Sequence, residues 1–139
     1  MIFLPKKSLI ATKQDFSATG GNSTVDGIYN IHTFTSSGSL VIEGSRDMDI
    51  LIVAGGGGGG GGRAGGGGGA GGVIYKTNQL FTAGTYNITV GNGGGQNSSG
   101  GSSSIIGPAI SETAVGGGRG GGGEGHLGKD RQSLQYQAL

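Results

Sequence analysis

The chain offers few side chains that could do covalent or metal chemistry, and their spacing is poor for it. His32 and His126 are the only imidazoles, they lie far apart, and there is no cysteine to complete a ligand set; a bound zinc needs three or four such groups brought together at characteristic spacings. His32 falls in a β-branched and aromatic run and is expected on a strand face. Asp47-Met48-Asp49 presents two carboxylates, but no further oxygen ligands follow at calcium-loop spacing, so these acids are read as solvated groups at the start of a strand. Serines are abundant without a G-x-S-x-G nucleophile elbow. The chain is therefore read as a non-enzyme, with no cofactor and no metal.

Glycine next to an apolar strand is the other pattern with possible chemistry. Residues 55–72 read GGGGGGGGRAGGGGGAGG and follow the apolar run DMDILIVA. A phosphate-binding loop would end in Gly-Lys-Ser/Thr and open a helix; this run meets Arg63-Ala64 and more glycine. The dinucleotide pattern G-x-G-x-x-G is matched trivially by polyglycine, and no βαβ unit surrounds it. Arg63 and Arg119 sit among glycines in the manner of RNA-binding Arg-Gly-Gly segments. Those use many arginines, however, and this chain has a net charge of only +1. Each arginine is read as a bend or surface residue able to contact a ligand.

The elements that would position these residues are strands. The chain has 139 residues, 37 of them glycine, and an apolar content of 32%. That is one domain's length with a small core, and without cysteine the core must be supplemented by partners or by an unusual backbone arrangement. There is no Gly-X-Y period, which excludes collagen. The apolar start MIFLPKKSLIATKQ is broken by Pro5, Lys6 and Lys7, so neither a signal peptide nor a membrane span is expected. Residues 1–26 are read as an N-terminal anchoring arm and linker.

Residues 28–35 form a strand, Ser36-Ser37-Gly38 a turn and residues 39–43 a return strand, which predicts a hairpin. Residues 48–54 are apolar at both parities, as in a central strand covered on both faces. Val73-Ile74-Tyr75 resumes a strand that Thr77-Asn78-Gln79 is expected to break, with a turn over residues 80–84. Tyr86, Ile88 and Val90 then alternate with Thr85, Asn87 and Thr89, giving one dry and one wet face. Two short strands are expected around residues 103–106 and 111–115. Helical periodicity is missing. The class predicted is all-β, a small sandwich or roll with glycine-rich loops at one end.

Physics alone permits two states of the glycine tracts. Glycine loses the most backbone entropy on ordering, which favours a mobile insert. Alternatively, polyglycine II legs, threefold helices rising about 3.1 Å per residue, can bond sideways to one another, because only glycine lets backbones approach so closely. Residues 55–62 and 65–72 would be two legs joined by a bend at Arg63-Ala64, with residues 116–123 and 91–95 supplying others.

The ordered series Gly27-Ile28-Tyr29, Ile31-His32-Thr33-Phe34-Thr35-Ser36-Ser37-Gly38, Asp49-Ile50-Leu51-Ile52-Val53-Ala54 into glycine, Gly67-Gly68-Gly69-Ala70-Gly71-Gly72-Val73, and Ala83-Gly84-Thr85-Tyr86-Asn87-Ile88-Thr89-Val90-Gly91-Asn92-Gly93-Gly94 resembles the glycine-rich domain of tailed-bacteriophage tail-fibre and adhesin proteins. Gln96-Asn97-Ser98-Ser99 and Ala114-Val115-Gly116-Gly117-Gly118 fit the same pattern. The resemblance covers about residues 27–123, leaving residues 124–139 as a C-terminal tail. It implies a small β-structure with glycine-rich loops, packed in some members as polyglycine II, and commonly trimeric or mounted on a larger fibre. Such a module would be part of a virion, in the tail or on its outer surface, assembled in the host cytoplasm.

The function expected is attachment of a virion to the bacterial surface. The partners expected are other virion proteins through the arm, a host surface protein or glycan, and further copies of the chain in a homo-oligomer; nucleic acid and membrane insertion are not expected. Two alternatives are a capsid-decorating or fibre-joining protein without a receptor, and a glycine-rich RNA-binding protein. Exposure at bends and edges selects Arg63, Asn92, Gln96, Asn97, Arg119 and Glu124 as candidate receptor contacts.

Overall fold

The computed structural model describes residues 1–5 and 15–123. It is all-β, with ten strands in two five-stranded antiparallel sheets. These are β1 (Ile2–Pro5), β2 (Ser17–Thr19), β3 (Asn22–Asp26), β4 (Tyr29–Thr33), β5 (Gly38–Glu43), β6 (Arg46–Val53), β7 (Val73–Phe81), β8 (Gly84–Thr89), β9 (Ser103–Ile106) and β10 (Ser111–Ala114). The first sheet runs β3-β4-β1-β6-β7 and the second β10-β9-β8-β5-β2.

The sheets pack face to face because each contributes alternate apolar residues to one core. Phe3, Met48, Ile50, Ile52 and Phe81 come from the first sheet, and Leu40, Ile42, Tyr86, Ile88, Ile105 and Ala114 from the second. Aromatic rings fill the middle. Phe3 meets Phe34 and Phe81 edge-on at 6.0 Å, and Phe81 meets Tyr86 across the sheets at 4.9 Å. The Tyr86 hydroxyl is not wasted in the interior: it donates to the Thr82 carbonyl and accepts from the Thr82 amide, both at 3.0 Å. At the border of the sandwich Lys76 on β7 pairs with Glu112 on β10 and ties the two sheets.

Several sequence expectations are corrected. Residues 28–43 are not a hairpin: β4 pairs with β3 and β1 in one sheet, while β5 pairs with β8 and β2 in the other. The turn after Thr33 thus carries the chain from one sheet to the other, and short-range turn chemistry cannot distinguish the two outcomes. Of the segment read as an anchoring arm and linker, the described parts form strands of the sandwich. β1 lies between β4 and β6 with Phe3 fully buried, and β2 and β3 add strands to both sheets. Pro5 and the following lysines hid a strand that is short but central.

β6 is covered on one face only. Met48, Ile50 and Ile52 are buried, but Val53 is about half exposed. β7 does not break at Thr77-Asn78-Gln79 but runs through to Phe81, so residues 80–81 are strand as well. The disturbance there is a shift of register opposite Met48 and Ile50, with Asn78 at φ 53° and its amide donating to Asp49 Oδ1 at 2.9 Å. Asparagine tolerates the left-handed region, so the strand continues past the irregularity. β8, β9 and β10 appear where the sequence placed them, and β8 has its dry face at Tyr86 and Ile88.

Candidate functional site

The glycine-rich segments leave the sandwich from one end, between Val53 and Val73, after Thr89, and after Ala114. They bond to one another through their backbones. The leg 55–62 is the axis. Ala54, Gly57 and Gly60 donate to Gly72, Gly69 and Gly66, so residues 65–72 run antiparallel beside it. Gly55 and Gly58 donate to Gly101 and Ser98, a second antiparallel neighbour. The carbonyls of Gly55, Gly58 and Gly61 accept from Gly117, Gly120 and Gly123 of a parallel leg, and those of Gly56 and Gly59 from Gly94 and Asn97. Gly66, Gly69 and Gly72 close the packing by donating to Gly121, Gly118 and Val115. Each series advances by three residues, the period of a polyglycine II helix.

The packing leaves no room for side chains where legs meet. A Cβ on Gly58 would lie 1.8 Å from the Gly95 carbonyl oxygen, and one on Gly60 would lie 1.9 Å from that of Gly121. On the outward side of the second leg the position of Gly67 is open, and the residues three before and three after it are Ala64 and Ala70, both exposed. Side chains occur where the lattice faces solvent. Alternate rows carry none because a methyl group would displace the neighbouring backbone.

The candidate contact residues divide by height on this lattice. Arg63 stands exposed at the far bend. Asn97 is held near the same end: its amide donates to the Gly59 carbonyl, its Oδ1 accepts from the Gly61 amide at 2.7 Å, and its φ is 61°. Gln96 precedes it and is exposed. Arg63, Gln96 and Asn97 therefore mark the tip. Asn92 is exposed at the base, where its carbonyl accepts from Gly101. Arg119 lies between, exposed, with its amide donating to Ser99 Oγ at 3.3 Å. Glu124 lies outside the described residues.

Sequence reasoning missed the serines that tie the lattice together. Ser103 Oγ accepts from the Gly91 amide, Ser102 Oγ from Gly116 and Ser99 Oγ from Arg119. Their signal was weak but present: hydroxyl residues cluster directly after a glycine tract, where amides need acceptors. His32 is buried, its Nδ1 2.9 Å from the Gly20 carbonyl, so it anchors the crossover between β2 and β3. Among the described residues no three acidic, histidine or cysteine side chains gather to hold a metal ion.

A two-sheet β-sandwich extended at one end by backbone-bonded glycine legs defines a glycine-rich structural module. The model of the glycine-rich domain family matches residues 33–136, three quarters of the chain, and the protein belongs to that family. No curated protein and no solved structure matches the chain.

Proposed function

We propose that the protein is a virion component of a tailed bacteriophage, a tail-fibre or tail-tip part that attaches to the bacterial surface by the far end of its glycine lattice. The observation that carries this reading is the tip. Eight residues at about 3.1 Å each carry Arg63 roughly 25 Å beyond the sandwich, and Asn97, bonded to the same leg at Gly59 and Gly61, sits beside Gln96 near that end. Hydrogen bonds between legs fix that projection, so side chains at its end are presented with little ordering left to lose on binding. Bends and loop tips on a rigid scaffold are where recognition residues concentrate. The resemblance to phage adhesin domains supports the same reading. Further copies of the chain, or a larger fibre, would raise the avidity of a small tip.

The test is adsorption. Purified protein should bind host cells and compete with virus, and the double variant Arg63→Ala/Gln96→Ala should lose that binding while its unfolding profile stays that of the parent. Protein that binds single-stranded RNA with strong salt dependence, and no cells, would overturn the proposal.

A further inference from the structure

A second feature lies at the other end of the lattice, where it joins the sandwich. A cleft of about 270 Å³ is lined by residues 33–39 together with Gly21 and Asn22. This is the turn that takes the chain from β4 to β5 between the sheets. Phe34 is its buried floor. Asn22, Thr33, Thr35, Ser36 and Ser39 also line it, and none of their side chains makes a hydrogen bond to another described residue. No charged residue lines the cleft.

The walls are fixed from several directions. The Phe34 amide donates to the Met1 carbonyl, and the Val90 amide donates to Ser37 Oγ at 3.0 Å. Nδ1 of buried His32 is within hydrogen-bond distance of the Gly20 carbonyl. Gly21 has φ 63°, and a Cβ there would come within 2.7 Å of the Thr33 carbonyl oxygen and 3.0 Å of the Phe34 ring. The chain thus wraps the aromatic ring closely while leaving uncommitted hydroxyls around an opening.

We infer that this cleft binds one neutral sugar ring. Hydroxyls both donate and accept, and an amide does the same, so this lining matches a ligand whose own groups do both. No charged side chain lines it, and the N-terminal ammonium is already engaged with the Phe34 carbonyl at 3.3 Å, so the lining offers no built site for a phosphate, a carboxylate or a cation. Its volume lies just under the roughly 300 Å³ at which sites for drug-sized ligands begin, which suits a single ring and not a long chain. The preformed walls lower the ordering cost of binding. The inference does not depend on the virion reading, because the tip and the cleft lie at opposite ends of the lattice.

Amide chemical shifts read the cleft directly. Methyl glycosides of glucose, galactose, mannose and N-acetylglucosamine, each beside its free sugar, would be titrated into labelled protein. At least one sugar should give saturable shifts confined to Gly21, Asn22 and residues 34–39. A sugar acid tested in parallel should bind no better. The variant Ser36→Ala/Ser39→Ala should weaken binding about tenfold, as loss of two hydrogen bonds implies. If that variant fails to fold, Asn22→Ala is read in the same way. Binding of the methyl glycoside as well as the free sugar supports a site for a glycan terminus, and binding of the free sugar alone supports a monosaccharide site. No saturable shift at these amides with any neutral sugar, or shifts unchanged in the variant, overturns the inference. Sugar binding without cell binding would sink the attachment proposal and keep this one.

Discussion

In the sandwich, Phe3, Met48, Ile50, Phe81 and Tyr86 are fully excluded from water, and the strands stay together because their side chains fill the space between two sheets. In the lattice the legs meet mainly through amides and carbonyls of neighbouring backbones, and the side chains that join them, Asn97 and three serines, act only as hydrogen-bond acceptors for backbone amides. The two regions answer the same problem, how to offset chain entropy, with different groups. Burying a large apolar side chain contributes about 1.5–3 kcal/mol. A backbone hydrogen bond contributes a net of roughly 0.5–1.5 kcal/mol. Ordering one residue's backbone costs about 1–2 kcal/mol, and glycine is at the expensive end. A glycine lattice on its own is therefore marginal. Here β6, β7, β8, β9 and β10 hold the roots of its legs at fixed spacing, so the sandwich carries part of the ordering cost before the first lattice bond forms.

That difference can be broken from either side. The largest effect is expected from Phe3→Ala, which empties the centre of the core and should destabilise the whole protein by about 3–5 kcal/mol in denaturant unfolding. Sandwich and lattice should be lost together, since the legs have no anchor without the strands. Gly58→Ala is next, at about 1–3 kcal/mol, because its methyl group would fall on the Gly95 carbonyl. Hydrogen exchange should then accelerate at Gly57, Gly60 and Gly69 while the amides of β6 and β8 stay protected. Equal acceleration in β6 would show that the two regions are one cooperative unit.

Asn97→Ala is expected to cost about 1–2 kcal/mol, from the lost bond to the Gly61 amide and from placing alanine at positive φ; calorimetry would check it. The smallest change is Gly67→Ala. Its methyl group meets open space, and stability should hold or rise by about 0.4–1 kcal/mol as the unfolded chain loses freedom. A large loss at Gly67 would mean that something other than the described residues packs on that face. In the parent protein, exchange should be slow at Gly57, Gly58 and Gly60, whose amides are bonded, and faster at Gly56 and Gly59.

Much of the sandwich was legible because side-chain alternation records which face a residue takes. The Thr85-to-Val90 run showed this most clearly. The outer face of β6 was misjudged, since Leu51 and Val53 are as apolar as the buried residues beside them, and composition does not say whether an apolar face is covered. β1 was hidden by its brevity and by Pro5. At the tip, Arg63 could be read from the sequence as a bend, whereas the structural part of Asn97 could not, because its partner Gly61 is 36 positions away.

By itself the sequence determined that the protein is all-β, that its core is small, and that glycine replaces side chains in three tracts. Ala64 and Ala70, spaced six apart within such a tract, even carry a trace of the three-residue period. Only the tertiary structure decided which tract lies beside which, in which direction and in which register. The reason is physical: every glycine presents the same amide and the same carbonyl, so no side chain encodes the pairing. The pairing follows from where the strands of the sandwich release each leg.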